Sequence, residues 1–317
     1  MEKRKIAVLT PVEHLDGVVR LLLSKGECTF LPDGNKEQVK CLLSWDKSIN
    51  TIVCNPNAQA YVLDAEILGN SHVRTIITCS TGLNHIDMEA CAQLGIEVKG
   101  LKDDMELLNQ LPATAELSFT LMMNLLRKIP QATRSIARGE WNYKNYVGNQ
   151  LQGKTVGIVG LGRLGSMMAR YCEAFGAKVI FYDPYVDADQ YEKQMTLLDL
   201  FEQSDIVSLH VHVKEDTIGF INESLWKGRK KSLYLINTSR GEIVNEEELA
   251  YALKRNWVTG YGTDVITTEF EPTARKRGKS KILRAKADGE NIVVTPHVGG
   301  MTIEGQELAY KWAINKI

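Results

Sequence analysis

Three short motifs in the second half of the chain end strand-like runs with side chains capable of chemistry. Asn237-Thr238-Ser239-Arg240-Gly241 closes one run, Gly262-Thr263-Asp264-Val265 closes a second with Glu269 shortly beyond, and Thr295-Pro296-His297-Val298-Gly299-Gly300 closes the last. In an open α/β sheet the carboxyl ends of the strands lie along one edge. A fixed cation, a carboxylate and an imidazole that titrates near neutrality could converge there. What they would act beside is set by a fourth stretch. The apolar run Thr155-Val-Gly-Ile-Val leads into G-x-G-x-x-G at Gly160, Gly162 and Gly165. Leu164, Met168, Tyr171 and Phe175 follow at helical spacing, and a second apolar run ends at Asp183.

That order of elements is one βαβ unit suited to a dinucleotide. Gly160 permits the tight turn, Gly162 lets backbone approach a pyrophosphate, and Gly165 lets helix pack closely on strand. Arg163 and Leu164 open the helix, whose unpaired N–H groups meet the phosphates. Asp183 sits where a carboxylate accepts hydrogen bonds from the adenosine ribose and repels a 2′-phosphate. The reading is NAD rather than NADP. A bare G-x-G-x-x-G is weak; strand, helix, second strand and terminal acid together make it specific.

The elements that must position these groups alternate along the whole chain. At 317 residues two domains are expected. Strand-like runs at Lys5–Thr10, Cys28–Leu31, Thr51–Cys54, Thr75–Cys79 and Ile96–Lys99 are separated by helical patterns such as Leu15–Ser24 and Glu37–Trp45. This half lacks a glycine fingerprint, so its post-strand loops, Asn55-Pro-Asn-Ala and Ser80-Thr81-Gly82-Leu83-Asn84, are candidates for substrate contacts. From Pro112 a long apolar helix is expected, crossing between domains, and residues 139–152 read as a connecting loop. Beyond Asp183, strands at Asp205–Val213, Ser232–Asn237, Val258–Asp264 and Asn291–Thr295 alternate with helices at Met195–Gln203, Asn245–Arg255 and from Thr302 onward. The fold class is α/β with two doubly wound parallel sheets.

Composition narrows the partners. Lys plus Arg is 38 against 39 for Asp plus Glu, which gives no overall attraction to nucleic acid or membrane. The six cysteines show no C-x-x-C pairing and read as buried free thiols. With no signal-peptide core and no membrane-length apolar run, a cytoplasmic protein is expected. His210 and His212 share a strand face, but no third ligand accompanies them and no metal is expected. The run from Arg275 to Lys286 holds seven cations and reads as a solvated surface loop, or else as a field drawing anionic substrate.

Taken jointly, Ser80-Thr-Gly-Leu-Asn-His-Ile-Asp87, Thr114-Ala-Glu116, the Gly160 fingerprint, Asn237–Gly241, Thr263-Asp-Val265 and Pro296–Gly300 resemble the D-isomer-specific 2-hydroxyacid dehydrogenase family over essentially the whole chain. That family includes D-3-phosphoglycerate dehydrogenase and hydroxypyruvate reductase. The resemblance implies a Rossmann NAD-binding domain (104–296) inserted in a flavodoxin-like substrate domain (1–103 plus 297–317), a closing cleft and a homodimer. It also implies Arg240, Glu269 and His297 as catalytic residues. Reducing a 2-keto acid needs a proton at the carbonyl oxygen, a role for His297; a carboxylate on its far nitrogen raises its pKa, a role for Glu269. Glu271, followed by Pro272, is the alternative, since the family commonly has Pro after its catalytic Glu; spacing from Asp264 favours Glu269. Arg240 would clamp the substrate carboxylate. The backbone around Thr81, Gly82 and Leu83 would receive the same carboxylate, and His210, Thr217, Thr238, Asp264 and Gly299 would help hold NAD. Asn55 stands in a loop where phosphoglycerate-type members place Arg, and His212 stands where Pro is usual. The activity implied is oxidoreduction of a small D-2-hydroxy acid, with D-3-phosphoglycerate dehydrogenase proper, a non-catalytic NAD sensor and a methyltransferase using the same fingerprint as alternatives.

Overall fold

Short runs of two to six residues, most of them rich in β-branched and aliphatic side chains, assemble into two parallel sheets. A computed structural model describes residues 4–56, 61–229, 231–269 and 280–317. The chain divides into two compact units, Met1–Leu111 with Met301–Ile317, and Pro112–Gly300.

The first unit holds β1 (Lys5–Val8), β2 (Glu27–Phe30), β3 (Thr51–Cys54), β4 (Thr75–Thr78) and β5 (Glu97–Lys99). Their order is β2-β1-β3-β4-β5 and every pairing is parallel. Alternation along β1 sends Ile6 and Val8 to one core, with Leu15, Leu22, Ala309 and Ile314, and Ala7 to the other, with Val39, Leu43 and Ile67. Strand β3 is buried at every residue, as a central parallel strand covered on both faces must be.

The second unit holds β6 (Thr155–Val159), β7 (Lys178–Tyr182), β8 (Glu192–Lys193), β9 (Ile206–Leu209), β10 (Leu233–Asn237), β11 (Val258–Thr263) and β12 (Ile292–Val294). The order β12-β11-β10-β9-β6-β7-β8 reverses direction between β6 and β9, the switch point at which such sheets bind ligands. Helix Ala113–Arg127 lies wholly in this unit and buries Leu121, Met122, Leu125 and Leu126, each contributing about 1.5–3 kcal/mol relative to exposure.

Several expectations change. The divisions fall later than 103/104 and 296/297, because the His297 turn is bonded to β11 through Asp264 and so belongs with the second unit. Helix Arg163–Ala174 buries Met167, Met168, Ala169 and Cys172, whereas Phe175 is 54% exposed and only leans on Phe119. His210 and His212 lie past the end of β9 rather than within a strand. The basic run is not all loop: Ser280 caps helix Lys281–Ala287, which buries Ile282 and Ala285, and positions 275–279 lie outside the described residues. All six cysteines are unpaired, but Cys41 is exposed. Helix Ile129–Ala137 is an element that the sequence pattern does not predict.

Candidate active site

At the carboxyl end of β6 the chain makes a turn that tolerates few side chains. Gly160 has φ +88°, and a Cβ there would lie 2.6 Å from the His210 carbonyl oxygen. A Cβ on Gly165 would lie 2.0 Å from the Gly160 carbonyl oxygen, so the helix can sit on the turn only with glycine. Gly162 differs: among the described residues nothing lies within 4 Å of its imagined Cβ, which leaves bare backbone facing open space. The helix at Arg163 begins without a side-chain cap on its first N–H groups. Asp183, at the end of β7, is 8% exposed and accepts N–H bonds from Leu161 at 2.9 Å and Tyr185 at 2.8 Å. A carboxylate is thus fixed beside a turn with room for a pyrophosphate. These residues fit a dinucleotide.

Along the same edge, in the same unit, three further side chains gather. The imidazole of His297 shares a 2.9 Å hydrogen bond between Nδ1 and Glu269 Oε1. That bond is the main reason its pKa is raised, helped by the Glu269 charge and opposed by burial and by the Arg240 cation. Arg240 is therefore close enough to be felt, and its Nη1 donates to the Ser239 carbonyl at 2.7 Å. His297 has φ +56°, a left-handed backbone costly for a side chain of this size. Asp264 holds it there. The His297 N–H donates to the Asp264 carbonyl, and the Asp264 carboxylate accepts the N–H groups of Val298 and Gly299 and the Thr295 hydroxyl.

The remaining expected cofactor residues fall around this edge in less uniform roles. Thr238 is buried and its hydroxyl meets that of Ser118 at 2.5 Å. Thr217 closes a turn by accepting the Lys214 N–H. His210 shares a 2.8 Å bond with the Ser208 hydroxyl, and burial pushes its pKa down to about 4, so it stays neutral. Leu164 is half-buried in the first turn of its helix. Among the described residues no cluster of three His, Cys, Asp or Glu could hold a metal, and no helix is long and apolar enough to cross a membrane.

The expected substrate residues belong to the first unit. Asn55 follows β3 and donates to the Tyr310 hydroxyl at 2.7 Å; its loop neighbours 57–60 lie outside the described residues. Thr81, Gly82 and Leu83 follow β4 in a loop shaped from within, Thr78 bonding both His85 and Ser80, and Ser80 the Gly82 carbonyl. Glu271 also lies outside the described residues, and the carboxylate seen to meet the imidazole is that of Glu269.

One residue escaped the sequence reading. Glu246, the first residue of helix Glu246–Lys254, is 8% exposed, and its Oε1 accepts the Thr267 N–H at 2.9 Å. Burial, then the charges of Glu242 and Glu269, raise its pKa from 4.5 to about 7. The folded protein therefore holds this proton more tightly than the unfolded chain does. Stability from this group is complete below about pH 4.5 and is lost as pH climbs to 7 and beyond. Glu246→Gln should raise unfolding free energy at pH 8 relative to pH 5 by up to about 3 kcal/mol, read from paired urea melts.

Comparison with known proteins accords with this geometry. Residues 119–299 match the model described as "D-isomer specific 2-hydroxyacid dehydrogenase, NAD binding domain". The chain is 34% identical over 299 residues to D-3-phosphoglycerate dehydrogenase of Rattus norvegicus, covering 93% of this chain and 52% of that protein. It is 34% identical over 258 residues to glyoxylate reductase of Thermofilum pendens, covering 77% of this chain and 71% of that one. The chain thus spans about half the length of the D-3-phosphoglycerate dehydrogenases it matches. The solved structure of D-2-hydroxyisocaproate dehydrogenase superposes with a TM-score of 0.82 at 24% identity, over 98% of this chain and 94% of that one, a likeness of fold.

Proposed function

Since this chain belongs to the D-isomer-specific 2-hydroxyacid dehydrogenase family, whose NAD-binding domain it carries, we propose that it interconverts a small D-2-hydroxy acid and its 2-keto acid with NAD(H). The observation that supports this most is the His297–Glu269 pair, with Arg240 near it, on the sheet edge that also carries the glycine turn. When bound, the nicotinamide supplies or accepts the hydride at the substrate's second carbon. Arg240 holds the substrate carboxylate and fixes the carbonyl for attack. His297, engaged through Nδ1, gives a proton from Nε2 to the carbonyl oxygen and takes it back in the oxidation. Glu269, by its hydrogen bond and charge, raises the pH up to which that proton is held. Asp183 receives the adenosine ribose, and Gly160, Gly162 and Gly165 shape the phosphate seat.

The test is loss of NADH absorbance with hydroxypyruvate, glyoxylate, 2-oxoglutarate and 3-phosphohydroxypyruvate. Turnover of an unphosphorylated acid supports the reading. Preference for 3-phosphohydroxypyruvate would favour D-3-phosphoglycerate dehydrogenase, the activity of several relatives, against the Asn55 loop. NADH binding without turnover on any of them would make the chain a sensor.

Protonation gives a further check. Because the His297 pKa is raised, the imidazolium that reduction needs persists above pH 6.5, and kcat/KM for reduction should fall only as pH passes through that higher value. Stability from the pair follows the same sign, complete below pH 6.5 and lost above the folded value. In Glu269→Gln the descending limb of the pH profile should move to lower pH; an unmoved limb would remove Glu269 from this role.

A homodimer is the assembly the surface supports. Ile129 and Ile136, seven apart on one helix face, are 47% and 52% exposed, and Trp141, Tyr143 and Val147 follow at 91%, 80% and 70%. An apolar patch of this kind is usually covered. Ile136→Glu with Trp141→Glu should convert the dimer to a monomer in light scattering coupled to gel filtration. A wild-type monomer would sink the assignment.

A further inference from the structure

Glu269 reaches His297 from the stretch 264–269 that leaves β11, and that stretch is held down at Ile266 and Thr267. Ile266 and Thr267 lie directly on the backbone at Gly241, where a Cβ would come within 2.2 Å of the Ile266 carbonyl carbon and of the Thr267 nitrogen. The Glu269 N–H donates back to the Ile266 carbonyl at 3.1 Å, so the position of one end follows the other. From the far side Glu246 accepts the Thr267 N–H, and its carboxylate also bonds the Thr267 side chain. Arg240 precedes Gly241 in the chain. Glu246 therefore grips a strap that joins the arginine turn to the carboxylate behind the imidazole.

We propose that Glu246 is a positioning residue for the imidazole–carboxylate pair: by holding Thr267 it fixes the aim of Glu269 at His297. The inference rests on the dehydrogenase reading for its meaning but not for its test. A buried carboxylate at the start of a helix needs a reason, since burying it unpaired costs free energy that an apolar side chain would not. Among the described residues the charged or titratable groups it feels are Glu242 from the turn before its helix, Glu269 from the strap and Tyr261 from β11. Its partners are the N–H and the side chain of Thr267. What the residue gains is geometric, since misplacement of a catalytic group by about 1 Å can cost roughly a hundredfold in rate.

The experiment follows the His297 imidazole by its Cε1–H resonance during a pH titration of the full chain without ligand. Three proteins are compared: wild type, Glu246→Met, which keeps volume but loses the acceptor, and Glu246→Gln, which keeps an acceptor but loses the charge. If Glu246 acts by holding Thr267, the midpoint falls by roughly half a pH unit or more in E246M and stays near wild type in E246Q. An unchanged midpoint in E246M overturns the proposal. So does an equal fall in both variants, which would mean that Glu246 acts through its charge alone. Should E246M fail to fold, a midpoint in E246Q as low as that of Glu269→Gln overturns it, and one near wild type supports it. In turnover, E246M should lose kcat roughly tenfold while KM for NADH holds. Absence of turnover in the wild type would defeat the dehydrogenase reading and leave the titration result standing.

Discussion

His297→Asn should lower kcat by about three orders of magnitude while NADH affinity stays within about twofold of wild type. Asparagine is the informative replacement. It tolerates the left-handed backbone that His297 adopts at φ +56°, so the turn held by Asp264 survives. Its amide can still face Glu269. What it lacks is a group that exchanges a proton near neutrality, so the loss measures proton transfer rather than misfolding. Single-turnover NADH oxidation and fluorescence titration of NADH separate the two terms. Retention of kcat would remove His297 from the reaction, and loss of NADH binding would make it a cofactor residue.

Gly165→Ala should weaken NADH binding roughly a hundredfold and lower the melting temperature, because the added methyl meets the Gly160 carbonyl oxygen at 2.0 Å. Both atoms are fixed by backbone, so relief requires the helix to lift from the turn. Gly162→Ala is the control with the opposite balance. Its φ of −73° suits alanine and its Cβ meets no described atom within 4 Å, so the fold should keep its melting temperature. The methyl nevertheless occupies space the pyrophosphate needs, and NADH binding should fall. Equal melting losses in the two variants would refute this division of labour, and calorimetry reads it directly.

The glycine turn and the strand ends were legible because their spacing carries geometry: a turn that excludes Cβ atoms demands glycine at fixed intervals, and a parallel sheet lines up whatever follows its strands. Direction within an element was less legible. Phe175 looked like core by periodicity, yet it lies just beyond the last helical turn, and Met167 and Cys172 take the buried face. Glu246, Glu247 and Glu248 all suit a helix N-terminus, and nothing in that run says which one turns inward. Among the cations near 281–286, the aliphatic Ile282 and Ala285 that seat the helix were outweighed by charge. In each case the deciding fact is a neighbour distant in sequence.

The first unit is assembled from two stretches of chain separated by the whole of the second. Helix Ile303–Ile314 supplies Ala309, Tyr310, Ala313 and Ile314 to the core formed by Ile6, Val8, Val53 and Ile77. During synthesis the amino-terminal strands must wait, with that face uncovered, until residues past 300 leave the ribosome. The sheet of β6 to β12, contiguous in sequence, carries no such delay. Chains truncated after residue 300 and released should therefore present a protease-resistant carboxyl-terminal body behind a protease-sensitive amino-terminal one.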